Sequence, residues 1–91
     1  MSTTAILTHK VASFPTWKQA FEAGADLREK AGVKIRGVFQ STEDPNNVTI
    51  ISEFANLETA QAIFSDKVLQ DEMKQAGVIS APEIKFLHHA F

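Results

Sequence analysis

The sequence carries one local pattern twice. A strand-like run, Ala5-Ile6-Leu7-Thr8-His9-Lys10-Val11, leads into a helical pattern that closes on Ala31-Gly32-Val33. A second run, Val48-Thr49-Ile50-Ile51-Ser52-Glu53-Phe54, leads into another helical pattern that closes on Ala76-Gly77-Val78. Two strand–helix–strand units within 91 residues leave room for little beyond one sheet and one layer of helices.

The first strand is expected over residues 4–12. Ser13-Phe14-Pro15-Thr16 reads as a helix start, since proline is tolerated where backbone N–H groups have no helical partner. Trp17, Ala20, Phe21, Gly24, Leu27 and Ala31 then recur at three- and four-residue spacing as one apolar stripe. Gly24 within that stripe costs roughly 1 kcal/mol of helix propensity relative to alanine, a loss that close approach of helix to sheet would explain. Gly32 suits the left-handed position that ends a helix.

Residues 33–41 and 48–55 form a hairpin around Glu43-Asp44-Pro45-Asn46-Asn47, a run rich in turn formers. Asn56 caps the next helix, whose apolar face is Leu57, Ala60, Ile63 and Phe64. Ser65-Asp66 reads as a break and a second cap before a shorter helix that runs to Gly77. Residues 83–90 make the last strand. The whole chain, residues 1–91, is one domain.

The order β-α-β-β-α-β predicts an α+β, ferredoxin-like antiparallel sheet of spatial order 4-1-3-2, with both helices on one face. Alternation along the hairpin assigns Val33, Ile35, Gly37 and Phe39 to the helix side, with Val48, Ile50, Ser52 and Phe54. Lys34, Arg36, Val38 and Gln40 go to the other side, with Thr49, Ile51 and Glu53. Val38 and Ile51, joined by Leu7, Val11 and Leu87, make that outer side too apolar to face water. A homodimer in which two such faces meet would cover it, and its polar members would then line an enclosed cavity.

Composition excludes several functions. There is no cysteine, so disulfides, thiolate chemistry and cysteine metal sites are absent, which suits a reducing, cytoplasmic setting. Nine basic and eleven acidic residues are interspersed, giving a net charge of −2, so no general attraction to nucleic acid or anionic membrane is expected. Met1-Ser2-Thr3-Thr4 lacks the basic start and apolar stretch of a secretory signal, and no run reaches membrane-spanning length. The third strand has no Lys or Arg, unlike RNA-recognition modules of the same topology.

The residues also resemble a known family. His9-Lys10-Val11 ahead of Trp17-Lys18, Gly37-Val38-Phe39 ahead of Asp44-Pro45-Asn46, Ile51-Ser52-Glu53-Phe54, and Phe64-Ser65 with Leu69, Met73 and Ala76-Gly77-Val78 are similar to the dimeric α+β barrel proteins. These include antibiotic-biosynthesis-monooxygenase-like, polyketide-cyclase-like and stress-responsive barrel members. The resemblance spans the chain and implies a homodimer with a ligand cavity between sheet and helices or between the two sheets; its motifs are signatures of fold rather than of catalysis. Haem-degrading members place a histidine on the second long helix, and residues 57–76 here contain none. Oxygenases of the antibiotic-pathway type often use a tyrosine, and this chain has none.

Several side chains are candidates for chemistry. His9, on a face shared with Leu7 and Val11, would enter the cavity as a general base, with an unperturbed pKa of about 6.5. The competing reading is a hydrogen-bonded strand histidine, and the alternative parity would put Ile6 and Thr8 outward. Arg36 and Glu53 share a face of the hairpin, either as an anion-binding arginine steered by a carboxylate or as a cross-strand ion pair. Trp17, Phe21, Phe64 and Met73 are spaced as core and serve secondarily as pocket lining, together with Val38 and Ile51. His88 and His89, as neighbours in a strand, would point to opposite faces and cannot chelate one metal jointly. His89 is kept as a ligand contact, and no metal or cofactor is expected.

The expected function is therefore binding of a small, partly apolar, oxygenated molecule. Cofactor-independent cyclase- or isomerase-type proton transfer would follow, with His9 as base and Arg36 steadying negative charge. Two alternatives stand beside it: a non-catalytic stress-related or accessory barrel, and a cofactor-free monooxygenase.

Overall fold

The structure, a computed structural model, describes residues 2–91. Its elements are β1 (Thr3–Lys10), α1 (Phe14–Ala23), α2 (Ala25–Lys30), β2 (Lys34–Gln40), β3 (Asn47–Phe54), α3 (Leu57–Ser65), α4 (Lys67–Gln75) and β4 (Glu83–Leu87). The strands form one antiparallel sheet of order β2-β3-β1-β4, which is the expected 4-1-3-2 arrangement.

Parity along β1 is clear. Ala5, Leu7 and His9 are buried, whereas Thr4, Ile6 and Thr8 are only half-buried on the other side. Leu7 pairs with Ile50 and His9 with Val48, so alternate residues of β1 and β3 share one covered face. Leu7, Val11, Val48 and Ile50 join Trp17 of α1 in the main core, with Phe64 and Met73 packed against it. A smaller cluster of Ala5, Phe54 and Ala60 extends the core under α3. Full burial of a side chain such as Val48 contributes roughly 1.5–3 kcal/mol, so this face fixes the register. Leu7 and Val11 therefore belong to the helix-covered core, and the outer-face assignment made for them is corrected. Ile6 takes that place, opposite Ile51.

The hairpin carries a second correction. Ile35 pairs with Ser52 but Gly37 with Ile51, leaving Arg36 as an extra residue in a β-bulge. One added residue inverts parity for the rest of β2. Val38, opposite Ile50, turns to the helix side, while Gly37 and Phe39 turn outward. The Phe39 ring then folds over Gly37, and a Cβ there would lie 2.5 Å from ring carbon Cε2. Glycine leaves the room that this ring occupies.

Both helical arms are broken. Ser65-Asp66 breaks as expected, the Asp66 carboxylate accepting a hydrogen bond from the Val68 N–H at 2.9 Å. The first arm also breaks, at Gly24, where one continuous helix is expected from the stripe. The space over Gly24 is filled by Arg28, whose Nη1 would lie 3.1 Å from an added Cβ, so no approach to the sheet explains this glycine. Gly32 and Gly77 both take positive φ, 79° and 96°, and end the two arms.

Strand β4 ends at Leu87 rather than residue 90, so His88 and His89 follow the sheet instead of lying in it. No helix among the described residues is long and apolar enough to cross a membrane.

Candidate functional site

A cavity of about 380 Å³ lies between the covered face of the sheet and the helices. Leu7, His9, Ile50, Ser52 and Phe54 form its floor. Trp17, Phe21 and Arg28 line one wall; Ile63, Phe64, Leu69 and Met73 line the other. Both helix breaks, Gly24 and Asp66, also border it. The volume falls at the lower end of small-molecule sites, and a mostly apolar lining with a few polar groups is their usual composition.

His9 is the unusual member of the floor. It is 3% exposed, and neither Nδ1 nor Nε2 has a hydrogen-bond partner. Its ring meets the Trp17 indole edge to face, with centroids 5.8 Å apart. Such a contact contributes about 0.5–1.5 kcal/mol, no more than the roughly 1–3 kcal/mol lost by leaving a buried polar group unpaired. Packing alone therefore does not account for an imidazole here. Burial pushes its pKa below the ordinary value, so the ring is neutral near pH 7 and keeps a lone pair free to accept a proton.

The wall beyond Trp17 is a continuous stack. Phe21 lies on Trp17 with centroids 4.9 Å apart, and the Arg28 guanidinium carbon sits 3.8 Å from the Phe21 centroid. Arg28 forms no ion pair among the described residues, and its Nε is buried without a partner. The acidic groups bordering the cavity, Asp66 and Glu72, are exposed, and Asp66 is engaged as the cap of α4. Ser52, also 3% exposed, is a second polar group on the floor. Counted along the strands, four residues separate it from the position of His9, or roughly 13 Å.

The structure brings His9, Trp17, Phe21, Phe64 and Met73 into this cavity and leaves Arg36, Glu53, Val38, Ile51 and His89 elsewhere. Arg36 and Glu53 are bonded to each other, Nε to Oε2 at 2.7 Å, on the uncovered side of the sheet. The Arg36 hydrogen bond holds the Glu53 carboxyl below its usual range. Because the sheet separates them from His9, the geometry does not join Arg36 to the proposed base. Ile51 is also on the uncovered side, and Val38 lies at the sheet edge outside the cavity. His89 is exposed beyond β4, while His88 borders a separate surface hollow with Leu57 and Leu87.

Sequence reasoning missed Arg28 and Ser52. The sign of Arg28 was its spacing: Trp17, Phe21, Gly24 and Arg28 follow one helical face as well as any apolar series does. Leu27, preferred for its hydrophobicity, is 65% exposed. No group of three or more His, Asp or Glu side chains among the described residues is placed to hold a metal ion.

No protein-family model matches the chain, and no curated protein sequence matches it. Solved structures do. An antibiotic biosynthesis monooxygenase-like protein from Nitrosomonas europaea superposes with a TM-score of 0.73 at 13% identity, covering 99% of this chain and 91% of that one. A similar protein from Caulobacter crescentus gives 0.74 at 14% identity, with 99% and 91% covered. SnoaB from Streptomyces nogalater, a cofactor-independent oxygenase, gives 0.73 at 11% identity, with 99% and 94% covered. At these identities the likeness is one of fold: the chain has the ferredoxin-like α+β fold of the antibiotic-biosynthesis-monooxygenase-like proteins over its full length.

Proposed function

We propose that this chain, as a homodimer, binds a small, largely apolar, oxygenated molecule in the cavity between sheet and helices, and that His9 removes a proton from it without a bound cofactor. One observation carries the reading: a buried imidazole with both nitrogens unpartnered on the floor of an apolar pocket. A C–H bond beside a carbonyl breaks, an N–H bond forms on His9, and the electron pair moves onto the carbonyl oxygen as an enolate. In a β,γ-unsaturated ketone, return of the proton from His9 to the γ-carbon of the dienolate isomerises the molecule. Attack of an enolate on a second carbonyl closes a ring, and the alkoxide so formed takes the proton back from His9. Such acid–base assistance typically contributes about 10²–10⁴ in rate.

The fold shared with SnoaB favours a second reading that begins with the same step. In that reading the enolate adds dioxygen at its α-carbon to give a peroxide. The peroxide takes the proton from His9 and loses water to leave a new carbonyl, so that the substrate itself is oxidised and no cofactor is needed. A non-catalytic barrel is the outcome if no proton moves.

The test uses a panel of enolisable aryl ketones, neutral and carboxylated. Binding is read from the emission of Trp17, the only tryptophan in the chain. Proton removal is read by NMR as deuterium exchange beside the carbonyl, and oxygen uptake is followed in parallel. His9→Gln should lower exchange by about 100-fold or more while binding stays within a few-fold. Exchange equal in wild type and variant would remove the catalytic role. Oxygen uptake that depends on His9 would select the oxygenase reading.

A further inference from the structure

The geometry points to Arg28 as the residue that receives a carboxylate of the bound molecule, so that the site selects an apolar monoanion over its neutral counterpart. This inference rests on the cavity being a ligand site, as proposed above. The Arg28 guanidinium carbon sits over the Phe21 ring, 3.8 Å from its centroid. Stacking occupies the face of the guanidinium and leaves its edge for hydrogen bonding, which is the geometry that grips a carboxylate with two parallel N–H donors. Its Nε is buried without an acceptor from the protein, which leaves the Nη1–Nη2 end of the guanidinium to meet the carboxylate.

The rest of the lining narrows the ligand class. No lysine or second arginine borders the cavity, and burial lowers the pKa of His9. One fixed positive charge matches one negative charge, whereas a phosphate dianion would remain half-compensated in an apolar site. Asp66 and Glu72 are water-exposed and border the opposite, α4 side, so the carboxylate is directed to the α2 side and the apolar body to Phe64 and Met73. Gly24 belongs to the same device. Any side chain there would crowd Arg28 Nη1, which lies 3.1 Å from where its Cβ would sit. The stack from His9 through Trp17 and Phe21 to Arg28 puts two aromatic rings between the proton acceptor and the charge receiver.

Calorimetric titration with 2-naphthoate and its neutral isostere 2-naphthamide tests this directly. Wild type should bind the acid about tenfold or more tightly than the amide. Arg28→Met, which keeps an apolar stem against Phe21, should bring the acid down to the affinity of the amide and leave the amide unchanged. Arg28→Lys should restore part of the preference. Equal binding of acid and amide by wild type would overturn the role of Arg28 while leaving the cavity reading intact, and this arm needs no variant to fold. A preference that survives in Arg28→Met would overturn it as well. Failure of both molecules to bind wild type would overturn the cavity reading and this one together.

Discussion

Burial holds the His9 imidazole below its ordinary 6.5, so the folded chain takes up that proton less readily than the unfolded one. Above about pH 6.5 both states leave His9 neutral, and the group makes stability neither better nor worse with pH. Below it the unfolded chain protonates first, and stability falls as pH drops towards the depressed folded value. The slope from this one group approaches but does not exceed about 1.4 kcal/mol per pH unit. Glu53, whose pKa is also lowered, acts in the same direction at lower pH: its stabilisation is present above the carboxylate range and is lost as pH falls towards its folded value. Urea midpoints at pH 7.5, 6.5 and 5.5 should therefore fall at the acid end for wild type and fall less for His9→Gln. Parallel curves for the two proteins would show that His9 is not the group responsible. His9 was legible in the sequence because a histidine in an apolar strand is conspicuous. Arg28 was not, since a charged residue on a helix ordinarily faces water, and Arg36 drew attention only through its neighbour Glu53 in a hairpin whose faces could be counted.

Element boundaries show what period alone can and cannot fix. The break at Ser65-Asp66 was readable because Asp66 is a capping residue in the right place; the one at Gly24 was not, because the apolar spacing continues across it. The bulge at Arg36 was hidden for another reason. Val33 to Arg36 alternate, but Gly37-Val38-Phe39 are all apolar and fit either face, and an edge strand has only one neighbour to hold its register. The start of α1 likewise depends on a distant part of the chain. Ser13 occupies the N-cap position but its side chain makes no capping bond. The Phe14 N–H is instead accepted by Asn46 Oδ1 at 3.0 Å, and the Asn46 carbonyl accepts from the Val11 N–H at 2.8 Å. The turn of the β2–β3 hairpin thus supplies the cap that sets the helix carrying Trp17 over His9. Asn46→Ala should cost about 1–2 kcal/mol, the upper range for loss of a cap, whereas Ser13→Ala should stay within about 0.5 kcal/mol. Denaturant titration of both variants decides it, and equal losses would mean that the cap is local after all.

For the molecule as a whole, the decisive asymmetry is between the two faces of one sheet. Helices α1 to α4 cover the face that holds Leu7, Val48 and Ile50. The other face presents Ile6 and Ile51 at its centre, Phe39 at 53% exposure and Leu87 at 44%, with Thr8 and Thr49 hydroxyls bonded at 2.9 Å between them. A chain of 91 residues is near the size where one core only just suffices, so leaving this second apolar surface wet is costly. A second copy placed face to face removes it from water, and the Arg36–Glu53 pair then lies within or beside that contact. Because the cavity is on the helix side, assembly and the proposed ligand binding should separate experimentally. Ile51→Lys puts an unpaired ammonium opposite Ile6 in the middle of the contact, where burial without a partner is prohibitive. Sedimentation equilibrium should give twice the 10.0 kDa chain mass for wild type and the single mass for Ile51→Lys. The far-ultraviolet spectrum of the variant should be retained, because its own core is untouched, and ligand titration should give an affinity within a few-fold of wild type. A wild-type mass of one copy would remove the dimer. A variant that stays paired would move the contact off this face, and one that loses ligand binding would show that the cavity needs the second copy for its shape.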